Sequence, residues 1–445
     1  MRHRFRRCLP SSPSPMRRAQ ARALLSALLA FFVLVPASPV SAADSVTEWT
    51  ELADGYGGGL ANWRTLAIMH QAVHDALNAA LPTFERWAAP TKDEPSAAGA
   101  LPGAATAAAA AQVLRMVHPS RQEHIERTLH RVLDRYIDSP ARRTGIQLGE
   151  AIGRAAVERR DNDGSLEIRP FPSSTEPGRW AKTPTEYGGS NTTSTLPFLF
   201  SGSEVSRAPP PPALDSDVYR GSLEEARRLG GVDSNERTEA QTQAAIFWAA
   251  QSSQRGYVHL AIRLLDQLPQ AGDPLDHARV MSQMTSAMAD SAILSWREKE
   301  RFAFWRPVTA IRAGSAGVTA APDWLPILET PPFPEYPSGH AADCYTGSAF
   351  LQAAFGAHLR TITYVSQEGS EAALETLAVG MGQHGQISDM RGRFERRFAS
   401  LDAAAHECAE SRIWAGAHFR PGLDEARRLG RLIAARAAAA VPRIK

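Results

Sequence analysis

Along residues 59–80 (GLANWRTLAIMHQAVHDALNAA) the apolar positions Trp63, Ala67, Met69, Val73 and Leu77 return every three or four residues. That period gathers them on one stripe of a helix that has a face to bury. The same rhythm predicts helices over 104–117, 121–136, 143–160, 219–229, 236–251, 256–268 and 275–298, with the second block continuing to 313. It resumes over 340–356, near 370–382, and over 395–415 and 423–440. Period-two alternation, the mark of a half-buried strand, is nearly absent, so the fold class reads as all-α. Two stretches break the rhythm. Residues 165–214 are rich in Pro, Ser, Thr and Gly and end in Pro209–Pro212, which predicts a long ordered connection wrapping the surface. Residues 314–337 form a second loop that leads into the helix at 340. The chain therefore divides into a leader (1–42), an N-terminal helical region with its wrapping loop (43–214) and a helical bundle (215–445).

With 445 residues, 43% of them hydrophobic, the chain can build a sizeable core. The leader needs separate treatment. Seven arginines (Arg2, Arg4, Arg6, Arg7, Arg17, Arg18, Arg22) precede the apolar run Ala23–Val35, and Val40-Ser41-Ala42 resembles a small-residue cleavage site. This is the pattern of a secretory signal, too short and wrongly flanked for a membrane span; Met16 is an equally workable start. Because the leader holds those seven arginines and no acid, the whole-chain charge of +2 becomes −5 without it. A mildly acidic exported protein is poorly suited to general binding of nucleic acid or anionic membranes. Cys8 leaves with the leader. Cys344 and Cys408 are too few for a disulfide scaffold or a thiolate cage, and either a pair or two buried thiols is compatible with export.

Three motifs are better explained by structure than by chemistry. His70 and His74 stand four apart with Asp75 beside them, but the glutamate of H-E-x-x-H is missing and no third ligand is indicated. Gly380-Met381-Gly382-Gln383-His384-Gly385 matches a dinucleotide-binding pattern by letter only, since no strand precedes it. Asp161-Asn162-Asp163-Gly164 lacks the later glutamate of a calcium loop and reads as a helix-ending turn.

A fourth set of residues is different. In SWREKERFAFWRP (295–307), Lys299 and Arg306 lie seven apart, a spacing that predicts both cations on roughly one helical face. Two such cations repel unless an anion lies between them. Pro334-Glu335-Tyr336-Pro337-Ser338-Gly339-His340 sits where a loop enters a helix, so Ser338 can cap it and free N–H groups point outward. Ser411-Arg412 follows, with His418 six residues beyond Arg412. Three cations, a hydroxyl, a helix N-terminus and two histidines suit a tetrahedral or trigonal-bipyramidal oxyanion.

In that order, these motifs resemble the superfamily that joins type-2 phosphatidic acid phosphatases, bacterial acid phosphatases and vanadium-dependent haloperoxidases. Softer similarity to secreted bacterial haloperoxidase-like proteins extends to HQAVHDALNAA (70–80), ERRDNDG (158–164) and Phe247-Trp248. The resemblance implies a helical bundle of the vanadium chloroperoxidase and acid phosphatase type. It implies vanadate as cofactor, with phosphate competing, held by Lys299, Arg306, Ser338, Gly339 and Arg412. His418 would be the axial ligand to the metal and His340 the acid–base group. Trp296 and Phe333 match aromatic positions flanking the halide region in the chloroperoxidases, which favours oxidation of halide by hydrogen peroxide to hypohalous acid and transfer to an organic acceptor. The alternative is a phosphomonoesterase using the same residues, with His418 forming a phosphohistidine. Of Trp296, Phe302, Phe304 and Trp305, at least two are expected to be core packing. One position departs from the family: the aspartate usually found four residues after the axial histidine is Gly422 here. Asp424, a backbone carbonyl or a carboxylate elsewhere is then needed to orient His418.

Overall fold

The computed structural model describes residues 42–57, 60–182, 190–201, 207–250, 252–267, 273–356, 359, 362–365 and 395–444. Residues 1–41 of the leader, the helix expected near 370–382 and the glycine motif at 380–385 lie outside these residues. Among the described residues there are thirteen α-helices and one two-stranded sheet, and no helix is long and apolar enough to cross a membrane.

The N-terminal helices are α1 (Ala42–Asp54), α2 (Leu60–Ala80), α3 (Pro102–Val117), α4 (Gln122–Leu133) and α5 (Pro140–Glu158). α1, which the sequence pattern above does not predict, carries Val46, Trp49 and Ala53 on one buried stripe. α3 is built largely of buried alanines, and α5 lies directly on it. The packing is close because α5 presents Gly145, Gly149 and Gly153 one turn apart; a Cβ at Gly149 would stand 2.2 Å from the Ala105 carbonyl oxygen. Small residues on both sides let the two backbones approach in a way larger side chains would block.

Next come α6 (Asp217–Gly230), α7 (Glu239–Ala249), α8 (Ser253–Asp266), α9 (Pro274–Phe302), α10 (Pro307–Ala313), α11 (Gly339–Phe355), α12 (Leu401–Trp414) and α13 (Arg420–Ala438). α9 is the axis of the fold. Asp273 caps it by accepting from the Leu275 N–H, Pro274 occupies its first turn, and α2, α8, α11 and α13 all pack around it. The loop 190–201 is tied to α9: the Asp290 carboxylate accepts the Phe198 and Leu199 N–H groups at 2.6 and 2.8 Å, and Arg297 donates to the Thr193 and Thr195 carbonyls. Residues 190–201, within the wrapping connection, are thus held by buried polar contacts.

Two local expectations need correction. Residues 395–398 are not helical; β2 (Glu395–Phe398) pairs antiparallel with β1 (Ile362–Val365), Ile362 opposite Phe398. Ser400 accepts from the Ala403 N–H and so starts the helix only at Leu401. Lys299 and Arg306 do not share a helix face either. α9 ends at Phe302, Ala303 turns into the left-handed region (φ 45°), and Arg306 is the residue before α10. Two of the four aromatic residues around them are core, as expected: Phe304 and Trp305 pack with Tyr219, Tyr336 and Phe419 in a separate cluster. That cluster grips the neighbours of Arg306 and His418 and so places both.

Candidate active site

Lys299 and Arg306 are wholly buried and Arg412 and His418 nearly so, although they come from α9, the start of α10, the end of α12 and the turn before α13. Burial depresses both guanidinium groups, each to about 10, which leaves them charged at neutral pH. Arg306 donates through Nε to the Phe333 carbonyl (2.8 Å) and through Nη1 to the Ala417 carbonyl (2.7 Å), while its Nη2 is buried with no protein partner. Arg412 donates to Ser411 Oγ and to the Ala245 carbonyl.

Lys299 is held differently from the expectation that it faces an oxyanion. Its Nζ donates to the carbonyls of Pro334, Glu335 and Pro337 at 2.9, 2.8 and 2.7 Å. Burial and then Arg306 push the ammonium down, yet three carbonyl acceptors require three hydrogens, so the charged form is the one the loop binds. Lys299 therefore shapes the loop 334–337, and reaching an oxyanion means exchanging one of these carbonyls.

Ser338 caps α11 through its Oγ, which accepts from the Ala341 N–H at 3.4 Å and keeps its hydroxyl hydrogen available. Gly339 opens that helix beneath an aromatic wall: a Cβ there would stand 2.5 Å from the Trp296 ring. Trp296 and Phe333 lie with ring centroids 5.1 Å apart, and Lys299 Nζ is 5.6 and 5.2 Å from the two rings. His340 follows in the first turn of α11, half-buried, its Nε2 buried without a partner. Burial and Arg412 hold its pKa well below the usual histidine value. Cys344 and Cys408 form a disulfide with Cα atoms 6.4 Å apart, joining the helix of His340 to the helix of Arg412. A His340 ring nitrogen lies within 4.8 Å of both sulfurs. Since the sulfurs are bonded to each other, they are not thiolate ligands.

The group with no role assigned from sequence is Glu335. Its Oε1 lies 2.7 Å from His418 Nδ1 and accepts the Phe419 N–H at 3.2 Å. The other ring nitrogen, Nε2, stands 3.1 Å from Arg306 Nη1. A guanidinium can only donate, so Nε2 accepts and the ring proton is on Nδ1, donated to Glu335. Burial and then the three cations keep the imidazole neutral. Burial raises the Glu335 carboxyl to about 7 against the pull of Lys299 and Arg306, so it is ionised above neutrality. His418 is thus the neutral Nδ1–H tautomer a metal ligand needs, with its Nε2 lone pair accepting from Arg306 Nη1, so ligation at Nε2 means exchanging that hydrogen bond.

Residues 279–444 match the family model of the VCPO second helical-bundle domain. That match and the relatives below support the superfamily of vanadium-dependent haloperoxidases and type-2 phosphatidic acid phosphatases. Over 258 residues it is 27% identical to vanadium chloroperoxidase from Curvularia inaequalis, a match covering 47% of this chain and 42% of that protein, under half its length. Its fold is like that of the first bacterial vanadium-dependent iodoperoxidase (TM-score 0.70, 22% identity, 91% of this chain and 96% of that one). It is also like that of a holo-type bacterial vanadium-dependent chloroperoxidase (TM-score 0.60, 17% identity, 91% and 93%).

Gly422 now has a physical reading. A Cβ at 422 would stand 2.5 Å from Glu335 Oε1, so the glycine makes room for a carboxylate arriving from the loop before Ser338. Asp424 takes no part in the contact with His418. The only hint in the sequence was Glu335 itself, three residues before Ser338. The residues also suit an oxyanion on their own terms. Of the three buried cations only Lys299 and Arg306 act on the Glu335 carboxylate, and Arg306 Nη2 and His340 Nε2 are buried donors or acceptors without protein partners.

Proposed function

We propose that the chain is an exported vanadate-dependent haloperoxidase, with residues 1–42 as its secretory signal and 215–445 as the catalytic bundle. The observation that carries this reading is the neutral His418 Nε2 set among Arg306, Arg412 and Lys299, with a single carboxylate, Glu335, behind it. Vanadate bound there would supply a Lewis acid that stays pentavalent while hydrogen peroxide oxidises halide to hypohalous acid, which then meets an organic acceptor. Arg306 and Arg412 would hold its oxygens through charge-assisted bonds, with the Ser338 hydroxyl and the Gly339 N–H completing the cradle. His418 supplies the lone pair, and Glu335 orients it and supports its basicity. His340, kept neutral, can accept a proton at its unpartnered Nε2 and return it. Trp296 and Phe333 wall off water beside Lys299, a setting that favours a weakly hydrated halide.

An assay series tests this. Protein loaded with orthovanadate should brominate a phenol-type dye from peroxide and bromide, with phosphate competing against vanadate. Trp296→Ala should impair halide oxidation more than ester hydrolysis. If the vanadate-free protein hydrolyses phosphomonoesters briskly while the loaded protein makes no hypohalite from bromide or iodide, the phosphatase reading replaces this one.

A further inference from the structure

We infer that a second cavity, between α2, the C-terminal end of α3 and α9, binds a small, neutral, planar molecule carrying a hydrogen-bond donor and acceptor side by side, such as a lactam or carboxamide. The cavity measures about 350 Å³, within the range that holds a small organic ligand. Most of its exposed wall is apolar, from Ala289, Ala292 and Ile293 of α9 and Ala61 and Val117 opposite, while Thr65, Asn191, Thr192 and Thr195 also line it. Asn62 also lines it, only 4% exposed, and neither its side-chain nitrogen nor its oxygen has a protein partner. A primary amide offers one donor face and one acceptor face in a plane. A ligand edge with the complementary pair satisfies both atoms at once, while its flat body lies against the alanines and Ile293. Tyr56 Oη and His118 Nε2 are likewise buried in the wall without partners, the two rings 5.5 Å apart.

The ligand is neutral because no free charge faces it. Arg64 is committed through Nε to Asp163 Oδ2 and through Nη2 to the Arg160 carbonyl, each at 2.8 Å. Burial and Arg121 push His118 below its usual pKa, toward its neutral form. None of the residues lining this cavity belongs to the oxyanion cluster; along α9, Ile293 precedes Lys299 by six residues, roughly 9 Å of helix rise. The inference does not rest on the haloperoxidase reading.

Calorimetric titration of the full chain with oxindole, a planar lactam, and with indole, which lacks the carbonyl, tests it. Oxindole should bind at least tenfold more tightly than indole. Asn62→Leu should reduce oxindole to the affinity of indole, and Ala292→Phe, which fills the space, should abolish binding of both. Thermal unfolding of each variant checks that it folds. Equal affinities for the two compounds on the wild-type protein, an Asn62→Leu variant that still prefers oxindole, or no binding of oxindole up to its solubility would each overturn the proposal.

Discussion

Exchange of the Glu335 carboxylate with the side chain missing at Gly422 offers a charge-conserving test of how His418 is oriented. In Glu335→Ala, the His418 Nδ1–H and the Phe419 N–H lose their acceptor, and Lys299 and Arg306 lose the carboxylate that compensates them. Removing one member of a buried charge cluster costs about 3–5 kcal/mol. Gly422→Asp alone puts a Cβ 2.5 Å from Glu335 Oε1 and 3.2 Å from its Cδ, so atoms must shift, an overpacking cost of about 1–3 kcal/mol. In the double variant Glu335→Ala/Gly422→Asp, the new carboxylate enters the space the old one left. The two changes should couple by about 2–3 kcal/mol, within the range seen for residues in direct contact. The compact unit Ser41–Lys445 has roughly 400 residues, and at about 2.1 cal/mol/K of unfolding entropy per residue one kcal/mol shifts Tm by about 1.2 °C. Glu335→Ala should therefore melt about 4–6 °C lower than wild type, and the double variant should melt about 2.4–3.6 °C above the value expected if the two single losses simply added. Scanning calorimetry of the four proteins without added anion supplies the cycle. If Glu335→Ala melts within about 1 °C of wild type, or the losses of the two single variants simply add in the double variant, the exchange is refuted.

Vanadate should raise Tm, by about 2.7 kcal/mol of stabilisation at a hundredfold excess over Kd, and phosphate should do so less strongly. His418→Ala should abolish vanadate binding measured by calorimetry, and Arg306→Ala or Arg412→Ala should weaken it by about 1.5–3 kcal/mol each; an unchanged affinity in His418→Ala removes the basis of the site. His70 is fully buried, and burial lowers its pKa to about 3. A depressed histidine favours folding above its unfolded value near 6.5, and that stability is lost as pH falls toward 3. Relative to His70→Asn, the wild type should thus lose up to about 1.4 kcal/mol per pH unit across this window in denaturant titrations. A difference that does not vary with pH contradicts burial of the neutral ring. The Cys344–Cys408 disulfide closes a separation of 64 residues, so Cys344→Ser/Cys408→Ser should cost about 2–4 kcal/mol of stability. It should also weaken vanadate binding, because the bridge fixes the His340 helix against the Arg412 helix; full stability in that variant would show the bridge to be dispensable.

Much of this protein was legible before any coordinates. Apolar residues at helical spacing determine where a helix can bury a face, so α2, α9, α11 and α13 were readable from local pattern alone. The order of Lys299, Arg306, Ser338, Gly339, Arg412 and His418 carried the family resemblance, and with it the proposed oxyanion set. What the sequence could not decide was direction and partnership. Ala303 turns the chain between Lys299 and Arg306, so their meeting comes from packing of the Phe304–Trp305 cluster rather than from a shared helix face. Lys299 spends its hydrogens on three carbonyls, a choice made by a loop that lies 35 to 38 residues away in the chain. The partner of His418 came from 83 residues upstream, through space that Gly422 leaves open. Local propensity acts over a few residues, whereas a hydrogen bond is selected by which groups are left facing each other once the core has closed.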